Sequence, residues 1–287
     1  MKARCALPAL LALALGFSAG AHAGQPAADL VFDPWVDAPL LGSTLAYTLV
    51  TFIDDETPWV QQAMPAEPSL GFDAPWAGQP MIDGEGPALL SDIVGLYPSF
   101  AMPVVMGVLG AAHSEQGGVG RRAARAGSWF VVGTEAVTIN ATLTHLVKNA
   151  VRRPRPYTYD PQWRAELDEA LAAGEFVDAD GQMSFYSGHT SAAGAWSFAL
   201  AHTLAITHDW SWQGRAVPYL AATGVTAWTG VLRVRAHKHF PSDVLVGGLA
   251  GAAVGIMVPE LHRSDRAQLA TGNTLAGTPT VGVSGVW

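Results

Sequence analysis

Apolar residues along this chain fall into long runs, and polar segments rich in proline and glycine separate them. Runs longer than ten residues, bounded by such breakers, are typical of buried or half-buried helices. The pattern therefore predicts an all-α fold, a helical bundle of about six core helices with long connections. The predicted core helices lie near residues 39–53, 91–112, 128–148, 190–207, 216–232 and 243–258.

The polar pattern divides the chain into four segments. Residues 1–23 are typical of a secretory signal peptide, because a charged start precedes an apolar run that ends in Ala-His-Ala; an uncleaved anchor is the alternative. Residues 24–90 are rich in proline, which predicts an irregular region packed on the body. Residues 91–260 form the predicted helical domain. Weak alternation in residues 261–287 favours a short extended tail.

Glycine recurs every four residues in the last predicted helix, at Gly247, Gly251 and Gly255. This spacing places three residues without side chains on one helix face. It predicts a close approach of a neighbouring helix along that face.

The distribution of charge indicates an anionic ligand. The chain has a net charge of -8 at pH 7, which argues against a general nucleic-acid-binding function. No lysine or arginine occurs between Cys5 and Gly120, and later cations cluster at 148–155 and 233–238. Such clusters on an acidic protein predict a focused anion pocket. Cys5 is the only cysteine and lies in the predicted signal, so no disulfide or cysteine metal site is expected.

The first polar cluster runs from Lys148 to Pro156 and reads K-N-A-V-R-R-P-R-P. Arg155 stands between two prolines, which hold its backbone extended. A rigid arginine suits bidentate binding of a phosphate. A solvated basic turn is the alternative interpretation of this segment.

The second cluster contains Ser187, Gly188, His189 and Thr190, directly before an apolar run. Backbone N–H groups at a helix start form an anion site, and Gly188 allows a ligand to approach the backbone. His189 would then lie where it can protonate a leaving oxygen. An ordinary serine-capped helix with an incidental histidine is the alternative.

The third cluster contains Arg233, His239 and Asp243. A carboxylate four positions after a histidine can fix its tautomer and leave one ring nitrogen free for attack. An arginine fork six positions before the histidine can bind an oxyanion. The alternative is a structural His–Asp pair at a helix start, beginning with Pro241.

Together the clusters read K-x6-R-P, S-G-H and R-x5-H-x3-D, over Lys148 to Asp243. This arrangement resembles the type 2 phosphatidic acid phosphatase/vanadium haloperoxidase superfamily, which includes acid phosphatases and lipid phosphate phosphatases. The sequence departs from the usual family pattern in having Tyr186 before Ser-Gly-His and Leu232 before the arginine. Both departures affect the expected choice of substrate more than the expected activity.

The resemblance implies a phosphomonoesterase that acts on a lipid or small-molecule phosphate. It implies that His239 is the nucleophile that forms a phosphohistidine, that Asp243 orients it, and that His189 is the general acid. The phosphoryl oxygens would be bound by Lys148, Arg155, Ser187, the Gly188 amide and Arg233. It implies neither a metal ion nor another cofactor.

Several neighbouring residues are expected to have other roles. His145 is expected to be packed or to cap a helix, whereas His237 and Lys238 are either close to the site or solvated. Arg152 and Arg153 are expected to be surface charges.

Two alternative functions remain. A vanadate-dependent haloperoxidase would hold vanadate in the same pocket, and a non-catalytic anion-binding envelope protein would retain only the scaffold. The runs after residue 190 are shorter than a membrane span, and the 128–148 run is rich in polar groups, which favours a periplasmic or secreted enzyme, soluble or peripherally attached. The alternative is an integral membrane protein whose site faces the periplasm. Arginines in segments opposite the motifs fit that topology: Arg121, Arg122, Arg125, Arg215, Arg263 and Arg266.

Overall fold

The computed structural model describes residues 29–53, 71–113, 118–174, 179–264, 268–273 and 279–284. The predicted signal segment lies outside the described residues. The α-helices are α1 (Asp37–Ile53), α2 (Gly86–Ser91), α3 (Tyr97–His113), α4 (Val119–Val151), α5 (Pro161–Ala172), α6 (Gly188–Thr207), α7 (Trp212–Arg235) and α8 (Pro241–Leu261). A π-helical turn (Asp92–Leu96) joins α2 to α3, and short 3₁₀ helices occupy Gly71–Trp76, Pro156–Tyr159 and Ala179–Gln182.

The predicted all-α bundle is confirmed, and six long helices form it: α1, α3, α4, α6, α7 and α8. Helix α6 packs on α8, α7 and α4, so it occupies the centre. Helices α1 and α4 run in the same direction, since Tyr47 bonds to His145 (3.1 Å) and Thr44 bonds to Thr138 (3.0 Å). The loops after α4, before α6 and between α7 and α8 meet at one end of the bundle, since Asp243 contacts both Arg153 and Ser184.

The tail departs from the single extended strand that its pattern predicts. Strands β1 (Gln268–Asn273) and β2 (Pro279–Ser284) pair antiparallel as a hairpin. A lone strand leaves its backbone N–H and C=O groups without partners, and folding the segment back on itself pairs them.

The glycine face of α8 allows the closest helix contact in the fold. A Cβ atom built on Gly251 would lie 2.0 Å from the Ser191 carbonyl oxygen, and one on Gly255 would lie 2.5 Å from that of Ala195. Only glycine fits such distances, so α6 and α8 pack backbone to backbone. The prediction from the four-residue spacing is confirmed.

A small apolar core lies between helices α3, α4 and α8. Trp129 and Val132 on α4 pack against Met106 of α3 and Val258 of α8. The segment before α1 joins the same core, because Leu30 is buried there and pairs with Arg263.

The expectation of a poor fit to a membrane is wrong for the predicted runs at 128–148 and 243–258, and a third described segment is also long enough. Gly86–His113, Val119–Tyr159 and Pro241–Leu261 are long and apolar enough to cross a bilayer. The helices extend beyond the apolar runs, and α4 alone has 33 residues. Its polar residues Glu135 and Asn140 are buried in the bundle, so they do not make the outer face polar.

The outer faces of the bundle are apolar. Large apolar side chains project from α3, α7 and α8, among them Phe100, Val104, Val108, Leu220, Trp228, Leu245, Leu249 and Met257. Contiguous apolar surface of this extent marks a membrane or protein contact.

Candidate active site

The three polar clusters meet at one end of the bundle, as their positions near helix ends predict. Lys148 lies in the last turn of α4, the Ser-Gly-His segment begins α6, and Arg233 lies in the last turn of α7. His239 lies in the turn between α7 and α8, where Pro241 at the first position of α8 fixes the backbone.

His239 is deeply buried, with 1% of its surface exposed. Its Nδ1 lies 2.8 Å from the Ser184 carbonyl oxygen. Because a carbonyl only accepts, Nδ1 carries the ring proton and Nε2 has a lone pair. Nε2 lies 3.5 Å from Nη1 of Arg155. Burial, together with the charges of Arg155, Arg233 and Lys148, lowers the pKa of His239 well below its ordinary value, which keeps the ring neutral.

Asp243 contacts the segment around His239 more closely than the ring itself. Its Oδ2 lies 3.8 Å from Nδ1, beyond hydrogen-bond distance. The same oxygen accepts from the Ser184 hydroxyl (2.6 Å) and from the Phe240 amide (2.9 Å). Asp243 thus holds both segments that hold the imidazole, whereas direct orientation of the ring was expected.

Arg153 is a half-buried clamp between two carboxylates, and its assignment as a surface charge is wrong. Its guanidinium donates to Asp243 (2.6 Å), Ser242 (2.6 Å) and Asp73 (2.8 Å). It also lies 4.4 Å from the centre of the Phe240 ring. The linear sequence gives no signal for this role, because Asp73 belongs to the proline-rich N-terminal region.

Two arginines bring their guanidinium groups into the pocket. Arg155 is 4% exposed and donates to the backbone carbonyls of Asp180 (2.8 Å) and Lys238 (3.2 Å). Arg233 is 3% exposed and donates to the Ser91 hydroxyl (3.2 Å), while its Nε has no hydrogen-bond partner among the described residues. Burial and the nearby Arg155 lower the pKa of Arg233 to about 10, so it remains charged at neutral pH.

Lys148 supplies the third cation, beside the start of α6. A Cβ atom on Gly188 would lie 3.9 Å from its Nζ and 3.4 Å from the methyl group of Thr144. Gly188 begins α6 beside this ammonium group, and the first N–H groups of a helix have no partner within the helix. The Ser187 hydroxyl instead contacts Thr190 (3.0 Å) and caps the helix.

His189 is held by a carboxylate that the motifs do not contain. Its Nε2 lies 2.7 Å from Oδ1 of Asp92, in the π-helical turn. Burial and the charge of Arg233 nevertheless lower the pKa of His189 to about 4. The ring is therefore neutral near pH 7 until an anion enters the pocket.

Three cations in or near the pocket each have an acidic partner from another segment of the chain. Asp180 pairs with Arg155, Asp92 faces Arg233 at 3.8 Å, and Asp83 pairs with Lys238. Burial alone would raise the pKa of Asp180, but the charges of Arg155 and Lys148 lower it below its ordinary value. Scattered single acids carry no spacing signal, so the sequence alone does not identify these partners.

Two other histidines lie close to the motifs in the sequence. His145 bonds to Tyr47 (3.1 Å) and Asn149 (3.0 Å), which fits the predicted packing role. His237 is in the left-handed region (φ 56°) and contacts the Pro80 carbonyl oxygen at 2.8 Å. It is thus joined to the N-terminal region and is distinct from the buried His239.

Comparisons with known proteins find similar sequences. Residues 130–266 match the family model described as the PAP2 superfamily. The chain is 29% identical to phospholipid phosphatase 1 of Rattus norvegicus over 141 residues, 45% of this chain and 49% of that protein. It is 30% identical to the probable diacylglycerol pyrophosphate phosphatase 1 of Schizosaccharomyces pombe over 127 residues, 39% of this chain and 46% of that protein. The chain thus spans about half the length of the curated relatives it matches.

A solved structure also aligns, that of a transmembrane PAP2 type phosphatidylglycerolphosphate phosphatase from Bacillus subtilis. The alignment covers 88% of this chain and 94% of that chain, with a TM-score of 0.45 and 16% identity. A likeness at that level establishes no detail of the site.

Proposed function

Because residues 130–266 match the PAP2 superfamily model, we propose that the protein hydrolyses a phosphate monoester, or pyrophosphate, carried by a lipid. The reaction proceeds through a phosphohistidine on His239, and no metal ion contacts the reacting phosphate. The observation that supports this most directly is the state of His239. It is a buried, neutral imidazole whose Nε2 lone pair faces the guanidinium of Arg155.

In the first step Nε2 of His239 attacks phosphorus, and the bond from phosphorus to the lipid oxygen breaks. The leaving oxygen takes a proton from His189. In the second step water attacks the phosphohistidine, His189 accepts the proton of that water, and inorganic phosphate leaves. Proton transfer of this kind contributes about 10²–10⁴-fold in rate.

The charge of the substrate itself prepares His189 for this role. In the free pocket, burial and the neighbouring cations keep its pKa at about 4. A phosphate dianion placed among Lys148, Arg155 and Arg233 offsets their charge, so the pKa of His189 rises on binding. Substrate binding therefore favours the protonated form of His189.

The three cations replace a metal ion as the electrostatic support of the transition state. The two arginines are held before substrate binds, Arg155 by backbone carbonyls and Arg233 by the Ser91 hydroxyl, and Lys148 lies in the last turn of α4. Preorganised charges of this kind stabilise the equatorial oxygens of a phosphoryl group in flight.

The apolar outer surface favours a lipid as the carrier of the phosphate. Three described segments are able to span a membrane, and the pocket lies where helix ends meet. A lipid in the same bilayer would present its headgroup at that level. The named relatives act on phospholipids and diacylglycerol pyrophosphate, by their names, and this supports the same substrate class here.

The test compares wild type with His239→Ala and with His237→Ala as the matched control. Purified protein is assayed with an aryl phosphate and with phosphatidic acid vesicles, in EDTA. We expect turnover in wild type and in His237→Ala, and none in His239→Ala. Rapid acid-free quenching with radiolabelled substrate should trap an acid-labile, base-stable phosphoprotein in wild type and in His237→Ala, but not in His239→Ala. Full activity of folded His239→Ala would refute the proposal, and peroxidation dependent on vanadate and halide would identify the alternative enzyme.

We place the pocket on the non-cytoplasmic face of the membrane. Arginines on the described chain mark the opposite end and, by the positive-inside rule, the cytoplasmic side; they are Arg121, Arg122, Arg125, Arg215 and Arg263. Because Cys5 is the only native cysteine, a cysteine at Gln162 or at Asp209 reports its side by labelling with an impermeant maleimide in spheroplasts of a Cys5→Ser background. Labelling at Asp209 alone would reverse the assignment. That result would fit cleavage of the signal peptide, because the start of α1, which lies at the end of the bundle opposite the pocket, would then be on the non-cytoplasmic side.

A further inference from the structure

A second cluster of ionisable groups lies within the bundle, away from the phosphate pocket. It consists of Asp37 at the start of α1, Glu135 in the middle of α4 and His262 after the end of α8. Glu135 precedes Lys148 on α4 by thirteen residues, a separation of about 20 Å along the helix. The cluster is therefore separate from the site described above.

All three side chains are buried, with exposed fractions of 5% for Asp37, 0% for Glu135 and 9% for His262. One donor atom from each lies within 4.8 Å of the others. Buried carboxylates are expensive unless they are paired or coordinate a metal. This arrangement therefore requires a positive charge among the three groups.

The orientation of His262 is that of a metal-binding imidazole. Its Nδ1 lies 2.8 Å from the Val258 carbonyl oxygen, so the ring proton is on Nδ1 in the neutral form. Nε2 then presents a lone pair to two carboxylates, at 3.1 Å from Oε2 of Glu135 and 3.4 Å from Oδ1 of Asp37. A backbone carbonyl that fixes the second ring nitrogen is the usual support of a histidine ligand.

The Glu135 carboxylate lacks the hydrogen bonds that a buried carboxylate requires. Neither of its oxygens has a hydrogen-bond partner within the described parts of the chain, and Nε2 of His262 has none either. Their 3.1 Å approach is an ion-pair distance without hydrogen-bond alignment. In contrast, Oδ2 of Asp37 accepts from the Asp33 amide at 2.6 Å, and Oδ1 is the oxygen that faces His262.

We propose that Asp37, Glu135 and His262 bind a divalent transition-metal ion, with zinc as the best fit. Two carboxylates, a neutral imidazole and a divalent cation sum to zero charge, which removes the cost of the buried carboxylates. Bonds of about 2.1 Å in tetrahedral geometry separate the ligand atoms by roughly 3.4 Å. The observed separations of 3.1 and 3.4 Å match that spacing. A fourth position on the ion is left to another donor.

The ion would have a structural role. It would join α1 to α4 and α8, at the end of the bundle where residues 29–31 also pair with residues 262–264. Because the readouts below do not involve phosphate hydrolysis, this inference stands or falls independently of the proposed phosphatase activity.

The first test uses the full-length wild type, purified with an affinity tag that contains no histidine and without chelator. Elemental analysis should find about one zinc, manganese or iron ion per chain. After chelator treatment, titration with cobalt(II) should produce the visible absorption bands of a tetrahedral cobalt site. Added zinc should raise the melting temperature of the stripped protein. Absence of metal, of cobalt bands and of a thermal shift would overturn the proposal and identify a proton on Nε2 as the occupant.

The second test compares Glu135→Gln with Glu260→Gln. The control removes the same charge from another His–Glu pair, in which His202 Nε2 lies 2.7 Å from Glu260 and its Nδ1 contacts the Tyr219 hydroxyl. We expect Glu135→Gln to bind cobalt at least ~10²-fold more weakly, and Glu260→Gln to bind it like wild type. Equal metal content in Glu135→Gln and wild type would show an adventitious ion only. If Glu135→Gln fails to fold, the cobalt titration of wild type decides.

Discussion

Replacing Arg153 with alanine tests whether the clamp on Asp243 supports the pocket. Arg153 joins two buried carboxylates, Asp243 with 0% and Asp73 with 4% of its side chain exposed. Among the described residues, it is the one cation that contacts both. The substitution removes charge-assisted bonds of 2.6 Å to Asp243 and 2.8 Å to Asp73. Both carboxylates then lose their shared cation.

The size of the stability loss depends on the contacts that the carboxylates keep after Arg153 is removed. Breaking a buried ion pair by removing one partner costs about 3–5 kcal/mol. The lower end applies here, because Asp243 keeps the Ser184 hydroxyl and the Phe240 amide, and because the Arg153 side chain is 20% exposed. We therefore expect Arg153→Ala to lower the free energy of unfolding by about 3 kcal/mol. Hydrolysis should also slow, since Ser184 and Asp243 hold His239.

The assay is unfolding of the detergent-solubilised protein, with turnover per folded molecule measured in parallel. Arg152→Ala is the matched control, because the neighbouring arginine donates to the Asn149 carbonyl of its own helix (3.0 Å). That variant should change stability by less than about 0.5 kcal/mol. Arg153→Lys should recover part of the loss, as it keeps the charge but not the fork. Equal stability of Arg153→Ala and Arg152→Ala would refute the clamp.

Three further predictions follow from the contacts above. Gly251→Ala should destabilise the fold by about 3 kcal/mol or more in unfolding experiments, because its Cβ would lie 2.0 Å from the Ser191 carbonyl oxygen. Gly224→Ala, which meets nothing within 4 Å, should be neutral or stabilising. Sulfate, whose charge is constant between pH 5 and 7, should bind more tightly as the pH falls from 7 towards the pKa of His189, which is about 4 in the free pocket. The reason is that sulfate binding raises this pKa, so the complex takes up a proton. A sulfate affinity that calorimetry finds constant from pH 5 to 7 would contradict this. Asp92→Asn should slow hydrolysis of alkyl phosphates by about 10²-fold and of nitrophenyl phosphate much less, because Asp92 positions the acid His189 and a good leaving group needs little acid; an equal loss on both substrates would contradict it.

The linear sequence determined the helices and the chemical groups of the pocket. Apolar runs bounded by proline and glycine mark the six long helices, because helix periodicity is a local property. The spacing of Lys148, Arg155, Arg233 and His239 identified the cationic residues around a histidine, since each motif is contained in one short segment. The glycine repeat in α8 likewise predicted its close contact.

Only the tertiary structure decided which groups hold the others in place. Asp92, Asp180 and Arg153 carry no motif, and their roles arise from segments that are distant along the chain. The apolar outer surface was also hidden in the sequence. Polar residues of α4 such as Glu135 lower its mean apolarity, yet the fold turns them inward and leaves the outer face apolar. The same inward turn brings Glu135 to His262 and Asp37, because helix packing sets which faces meet and spacing along one segment does not.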